Sequence, residues 1–470
     1  MNLESFDYSN GFKMIHQKSM HRLPLCSIYI FCNVGSSNET DQLRGIAHYL
    51  EHLIFQSSQY KSIAKLYEQY DKMGTQINAY TTKRYTCFYV KCPDDYSKEI
   101  LSLFSSMLYD TDLSPSRIQK ERAVIMEENR RSMDDETNRV EEAFESKIYQ
   151  HSSFEEPIDS IRYQEANEKI DYKTLVQWYK WFYVPSNMVM SIVSNKSGSF
   201  WHNALRTTRF VKQPISTVRK PQNASKPWND LSYQSKIEYV VTEDLSLANS
   251  QIIIGYRTVS HYSDKQHIFV LLSHILNGMG GRLFEALRQQ ESLVYNVNSV
   301  VECSEYTGYF SIQTECDPKY MLKNSKGKKL GVIPLIMKIF HKLYNKGVTE
   351  KELSIGKERL LSSLKIDMED IGKISKYNGE MYLIHHNDSK ESTHNRKQQF
   401  VTYQDQYKAY YESITLEQVN YAIREYFQVK NMVVSVLSSK PPSLKVLKQI
   451  CEKMPKGRKT RKNLRRLESL

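Results

Sequence analysis

Two histidines flank a glutamate in the run GIAHYLEHLIFQ, Gly45 to Gln56, as His48, Glu51 and His52. Ile46, Leu50, Leu53 and Ile54 recur there at helical spacing, so one face of a helix faces a core and the histidines stand beside it. Residues four apart are separated by about 40° around a helix axis, so His48 and His52 project from one face and can grip one ion. Glu51, three residues from His48 and one from His52, lies at the edge of that face. A carboxylate there reaches a water on the metal without being a ligand. Zinc held this way needs a third protein ligand and an open position for a water, which it acidifies towards pH ~7. In a chain with 13 histidines, chance supplies one such pattern in roughly a few per cent of cases, so other segments have to agree.

A second acidic segment, KERAVIMEEN, places Glu121 and Glu128 seven residues apart, two turns along one helical face. Glu128 could be the third ligand while Glu121 orients a ligating imidazole. Taken alone, this helix reads more simply as a solvated acidic face, and Glu127 competes for the ligand role.

Positioning these residues requires a scaffold. Ser27 to Val34 (SIYIFCNV) reads as a buried strand ending at Gly35, and Gln76 to Val90 as a second strand pattern. Leu101 to Leu108 reads as a helix, and Ser116 to Tyr149 as a long one beginning at an SPSR cap. Asn187 to Ser194 (NMVMSIVS) is echoed by Asn431 to Ser438 (NMVVSVLS). Each copy follows a helical segment with a threonine-leucine start, Thr174 and Leu175 or Thr415 and Leu416. Such repetition argues duplication of one α+β domain. At 470 residues the chain exceeds a single core. The expected division is 1–211, a linker at 212–232 rich in proline, 233–452, and a basic tail at 453–470.

The net charge of +12 is concentrated in that tail, whose eight bases against one acid carry +7 and leave a mildly basic body. The tail reads as a solvated end, with a nucleic-acid or anionic-surface contact as the alternative. Seven cysteines without a regular framework read as reduced core thiols rather than a stapled secreted domain. No secretory or mitochondrial address and no apolar run of membrane-spanning length is visible, so the expectation is a soluble protein of the cytoplasm.

From Asn10 to about Ser439 the chain resembles the pitrilysin family of inverzincin metallopeptidases, which includes insulysin and mitochondrial processing peptidase. NGFKMI followed by GSSNETDQLRGIAHYLEHLIF is similar to the family opening in order and spacing. The resemblance implies two duplicated α+β domains, each an antiparallel-rich sheet covered by helices, forming half of a clamshell. It implies Zn2+ as cofactor and a third ligand about 76 residues beyond the second histidine, which selects Glu128 over Glu127 and makes Glu121 the supporting glutamate. GTQINAYTTKRYTCFYV resembles the strand whose Asn-Ala pair, Asn78 and Ala79, borders the scissile bond. GGRLFEALRQQESLVYNV resembles the segment supplying an arginine and a tyrosine to the site, Arg288 and Tyr295. Read bare, Arg288 is a surface residue and Tyr295 a core edge. Two departures stand out: Ser292 replaces a usual glycine, and Lys83 and Arg84 stand where the family often has an acid. The second half carries no His-x-x-Glu-His of its own.

The function these readings imply is a zinc-dependent endopeptidase acting on extended peptides or unfolded segments, with Glu51 as general base. The alternatives are a non-catalytic subunit of the same fold and a nucleic-acid binder acting through the tail. Family members this short pair with a second chain, so a homodimer or a heterodimer with a related chain is implied.

Overall fold

The computed structural model describes residues 3–55, 63–158, 170–215, 236–305, 307–323, 330–386 and 403–452. Most of the expected linker and the basic tail at 453–470 lie outside the described residues.

The chain divides into two compact units. The first comprises Met1–Asp135, His151–Pro227 and Leu361–Tyr410, and the second Glu136–Gln150, Trp228–Leu360 and Tyr411–Leu470. The first contains strands β1 (Leu3–Asp7), β2 (Lys13–Lys18), β3 (Leu25–Cys32), β4 (Gln76–Thr81), β5 (Thr86–Pro93) and β6 (Met188–Ser194). They form a six-stranded sheet in the order β1-β2-β6-β3-β5-β4. Only β2 and β6 run parallel; the other neighbours are antiparallel. The second unit has β7 (Glu238–Glu243), β8 (Ser250–Arg257), β9 (Val297–Cys303), β10 (Gly308–Cys316) and β11 (Met432–Ser438), ordered β7-β11-β8-β10-β9. Setting β1 aside, this is the order of the first sheet. The echoed segments are β6 and β11: β6 runs parallel to β2 and antiparallel to β3, and β11 parallel to β7 and antiparallel to β8. The duplicated α+β architecture read from that echo is the observed one.

Five helices of the first half are α1 (Ile46–Phe55), α2 (Ile63–Lys72), α3 (Ser97–Tyr109), α4 (Pro115–Asp134) and α5 (Glu136–Ile148). Alternation along β3 explains why the segment is apolar throughout. Ile28 and Ile30 join the core with Leu50 and Leu53 of α1, Phe104 of α3 and Trp178, whereas Tyr29 and Phe31 point to the other face, against Tyr382 and Leu383.

Two local expectations differ from the structure. The Gln76–Val90 alternation is a hairpin, β4 and β5, with Thr82 N–H donating to Tyr85 O across the turn at Lys83–Arg84. Ser116–Tyr149 is two helices separated at Asp135, whose ψ of 112° is extended. The break has a packing cause: α5 belongs to the second unit and packs on β8 and β11, while the helix Ile371–His386 belongs to the first and packs on β3 and β6. Each unit is therefore closed by a helix remote in sequence, and the linear boundaries do not coincide with the compact bodies. The close approach depends on small residues. A Cβ at Gly379 would lie 2.1 Å from the Phe31 ring, and one at Gly255 2.9 Å from the Phe144 ring of α5.

Candidate metal centre

The helix α1 is anchored at its start and to α4. Gly45, at φ 85°, turns the chain into it. Glu39, almost fully buried, then accepts hydrogen bonds from the Gly45 N–H at 2.8 Å and the Ala47 N–H at 2.9 Å, satisfying two amides that a helix start leaves unpaired. The Tyr49 hydroxyl donates to the Ile118 carbonyl of α4, tying the two helices together. On α4, Ile118, Glu121, Ile125 and Asn129 are buried at spacings of three and four, and Glu128, itself exposed, borders that face one residue before Asn129 and reaches His52.

His48, His52 and Glu128 converge, with one ligand atom from each all within 4.8 Å of one another. The two Nε2 atoms lie 3.1 Å apart with the rings nearly perpendicular, and His52 Nε2 is 3.2 Å from Glu128 Oε2. Ligands at zinc bond lengths of about 2.1 Å in a tetrahedron are about 3.4 Å apart, so the set fits a zinc ion. Glu127 instead pairs with Arg130 at 3.4 Å and Arg131 at 3.8 Å. Glu121, 1% exposed, places Oε2 3.7 Å from His52 Nδ1, which favours a proton on that nitrogen and leaves Nε2 for the ion. Burial alone would lower the His52 pKa, but hydrogen bonds to Glu121 and Glu128 and the charges of Glu51 and Glu128 outweigh it and push it up to about 10. The hydrogen bond from His52 in turn holds Glu128 below the usual carboxylate range. Carboxylates gathered on two imidazoles make a cation-seeking site.

Glu51 is buried beside this group, and its Oε2 accepts a hydrogen bond of 2.7 Å from Thr81 Oγ1. Thr81 ends β4, the edge strand of the sheet. On that strand Asn78 is exposed, and its Oδ1 accepts from the Ala79 N–H at 2.9 Å. Lys83 Nζ donates to Phe154 O at 2.8 Å, and Arg84 Nη2 to Leu383 O at 3.4 Å, so both bases after this strand make contacts within their own unit.

In the second unit, Arg288 lies in a π turn, Glu285–Gln289, with its guanidinium 5.1 Å from the centre of the Tyr295 ring and Nη1 3.4 Å from Val294 O. The two side chains meet. Tyr295 is 78% exposed rather than at a core edge, because the loop before β9 carries it outward. Ser292, between them, has φ 50°, the left-handed backbone that a glycine adopts without strain.

Sequence reasoning missed Glu39, Tyr49 and Thr81. An acid six residues before a turn glycine is a helix-start signal that could have found Glu39; Thr81 and Tyr49 bond across elements and leave no local mark. The seven cysteines are free, six of them buried. Among the described residues no helix is long and apolar enough to cross a membrane.

Residues 15–160 match the insulinase family, peptidase family M16, and residues 169–360 match the peptidase M16 inactive domain. All the candidate ligands fall in the first match. The chain belongs to peptidase family M16. It is 24% identical over 365 residues to the uncharacterized zinc protease YmxG of Bacillus subtilis, covering 76% of this chain and 83% of that one. An uncharacterized zinc protease of Streptomyces coelicolor is 23% identical over 363 residues, covering 75% of each. Its fold is similar to a protease from Helicobacter pylori, with a TM-score of 0.80 at 18% identity over 93% of this chain and 99% of that one. The first half of the periplasmic protease PqqL from Escherichia coli superposes with a TM-score of 0.75 at 16% identity, covering 96% of each.

Proposed function

We propose that the chain is a zinc-dependent endopeptidase that hydrolyses peptide bonds of extended peptides or unfolded segments. The convergence of His48 Nε2, His52 Nε2 and Glu128 Oε2 beside the buried Glu51 carries this reading. Zinc, when bound, supplies Lewis-acid polarisation of the scissile carbonyl and acidifies the attacking water. His48, His52 and Glu128 hold it, and Glu121 fixes the His52 ring. Glu51 takes a proton from the attacking water and returns it to the leaving amine. The edge of β4 offers backbone groups to a peptide that adds as a further strand, with Asn78 and Ala79 bordering the bond to be cut. A non-catalytic subunit of the same fold would have no use for a complete ligand set with a buried carboxylate beside it.

The decisive variant is Glu51→Gln. It keeps all three ligands, so zinc content should match the wild type while peptide hydrolysis is lost and peptide binding remains. Wild-type turnover by this variant removes Glu51 from the mechanism.

Arg288 and Tyr295 are assigned to the developing oxyanion and the substrate backbone, a cation and a phenol suited to negative charge. By resemblance to short family members, they act in trans within a homodimer or a heterodimer with a related chain. Mixing inactive Glu51→Gln with inactive Tyr295→Phe under conditions of subunit exchange should restore part of the activity, because one of the two sites then has both groups. A mixed dimer confirmed by mass that stays inactive refutes the trans arrangement.

A further inference from the structure

The Thr81 hydroxyl bridges two rigid elements at the point where chemistry is assigned. Its Oγ1 stands on the last residue of β4 and donates to Glu51 Oε2 at 2.7 Å. Thr81 pairs with Thr86 of β5, a strand hydrogen-bonded on both sides, so its backbone is fixed by the sheet. Strand alternation directs its neighbour Tyr80 to the opposite face, where Lys376 Nζ lies 5.2 Å from the ring centre. Glu51, by contrast, reaches the site through three rotatable bonds from α1. A carboxylate on so flexible a stem needs a second support to stay in a productive orientation.

From this we infer that Thr81 is the positioning residue of the general base: it holds one oxygen of Glu51 and thereby sets the plane in which the carboxylate meets the attacking water. The inference rests on the assignment of Glu51 as base. Because Thr81 also ends the strand that the substrate is proposed to extend, one residue links the register of the bound peptide to the position of the base. When Glu51 carries the proton, the proton resides on the oxygen that Thr81 does not occupy, and Oε2 continues to accept from the hydroxyl. The hydrogen bond therefore serves both protonation states of the catalytic cycle.

The test is Thr81→Val, which keeps the shape and strand preference of the side chain and removes the donor, with Thr81→Ser restoring it. Thr81→Val should lower kcat by roughly 10- to 100-fold, the scale of one hydrogen bond to a charged group, with KM and zinc content unchanged. Thr81→Ser should return kcat to within about threefold of the wild type, since the donor is back. In the Glu51→Gln background Thr81→Val should have no further effect, because no base remains to be positioned. A readout independent of turnover is the infrared carboxylate band that disappears on Glu51→Gln, recorded on the metal-free protein: it should shift in Thr81→Val and return in Thr81→Ser. If Thr81→Val fails to fold, Thr81→Ala takes its place in each measurement. An unshifted band, wild-type kcat without the hydroxyl, or an equal loss in the Glu51→Gln background overturns the inference. Full turnover by Glu51→Gln alone is a different outcome, which defeats the base assignment itself.

Discussion

Glu39 is the residue whose removal should most disturb the metal helix without touching the metal. Its side chain is 3% exposed, and its two oxygens accept separately from the Gly45 and Ala47 amides. A hydrogen bond to a charged group contributes about 1.5 to 3 kcal/mol, and a buried amide left unpaired costs about 1 to 3 kcal/mol. Glu39→Gln retains one acceptor oxygen and turns an amide nitrogen towards the other N–H, so about 2 to 3 kcal/mol of stability should be lost. Glu39→Ala strands both amides and should cost about 3 to 5 kcal/mol, a large part of the roughly 5 to 15 kcal/mol that stabilises a typical protein. Trp178 and Trp201 are fully buried in the same core as α1, so their fluorescence follows urea unfolding of this unit. The expected order of midpoints is wild type, then Glu39→Gln, then Glu39→Ala, with zinc affinity falling in parallel as the start of α1 frays. Midpoints that coincide for all three proteins would show that the amides of α1 find other partners and that Glu39 does not anchor the helix.

Other perturbations separate further parts of the argument. Glu128→Gln should weaken zinc binding by more than the roughly 10- to 100-fold expected of Glu121→Gln, which loses only an orienting partner, while Glu127→Gln should leave it unchanged; chelator competition measures all three, and the reverse ranking of Glu127 and Glu128 would exchange their roles. Glu380 of the first unit is half-buried beside the Tyr85 hydroxyl, with Lys376 Nζ at 3.7 Å, and its partial burial raises its pKa despite both partners. A carboxyl whose pKa is higher folded than unfolded lowers stability as pH rises from about 4.3 through the folded value, so Glu380→Gln should gain on the wild type over that window in urea midpoints. A difference that stays flat or reverses sign with pH would refute this. Ser292→Gly relieves a left-handed backbone that costs about 1 to 2 kcal/mol and adds freedom to the unfolded chain, for a net gain of about 0.5 to 1 kcal/mol in denaturant stability.

Local pattern carried much of the architecture. The apolar spacing of Ile46, Leu50, Leu53 and Ile54 and the four-residue gap between His48 and His52 follow from one helix, and sequence distance along a helix is spatial distance. The echo of Asn187–Ser194 in Asn431–Ser438 announced two related sheets because those segments are the central strands β6 and β11, buried on both faces and confined to apolar residues. The spacing of seven between Glu121 and Glu128 was likewise legible, but the choice between Glu127 and Glu128 was not, since neighbouring carboxylates differ only in which way α4 is rolled against α1. That roll is set by Ile118, Ile125 and the Tyr49 hydroxyl, all contacts between elements. The division of Ser116–Tyr149 into α4 and α5 was hidden for the same reason: helical periodicity runs on past Asp135, and only the packing of α5 on β8 and β11 of the other unit gives the chain cause to turn. Thr81 meets Glu51 across 30 residues of sequence, through a hairpin and the sheet beneath it. Residue types and spacing determined what chemistry this chain can attempt. Tertiary packing decided which carboxylate stands by the histidines and which hydroxyl holds the base, because those contacts join elements whose relative rotation no local pattern encodes.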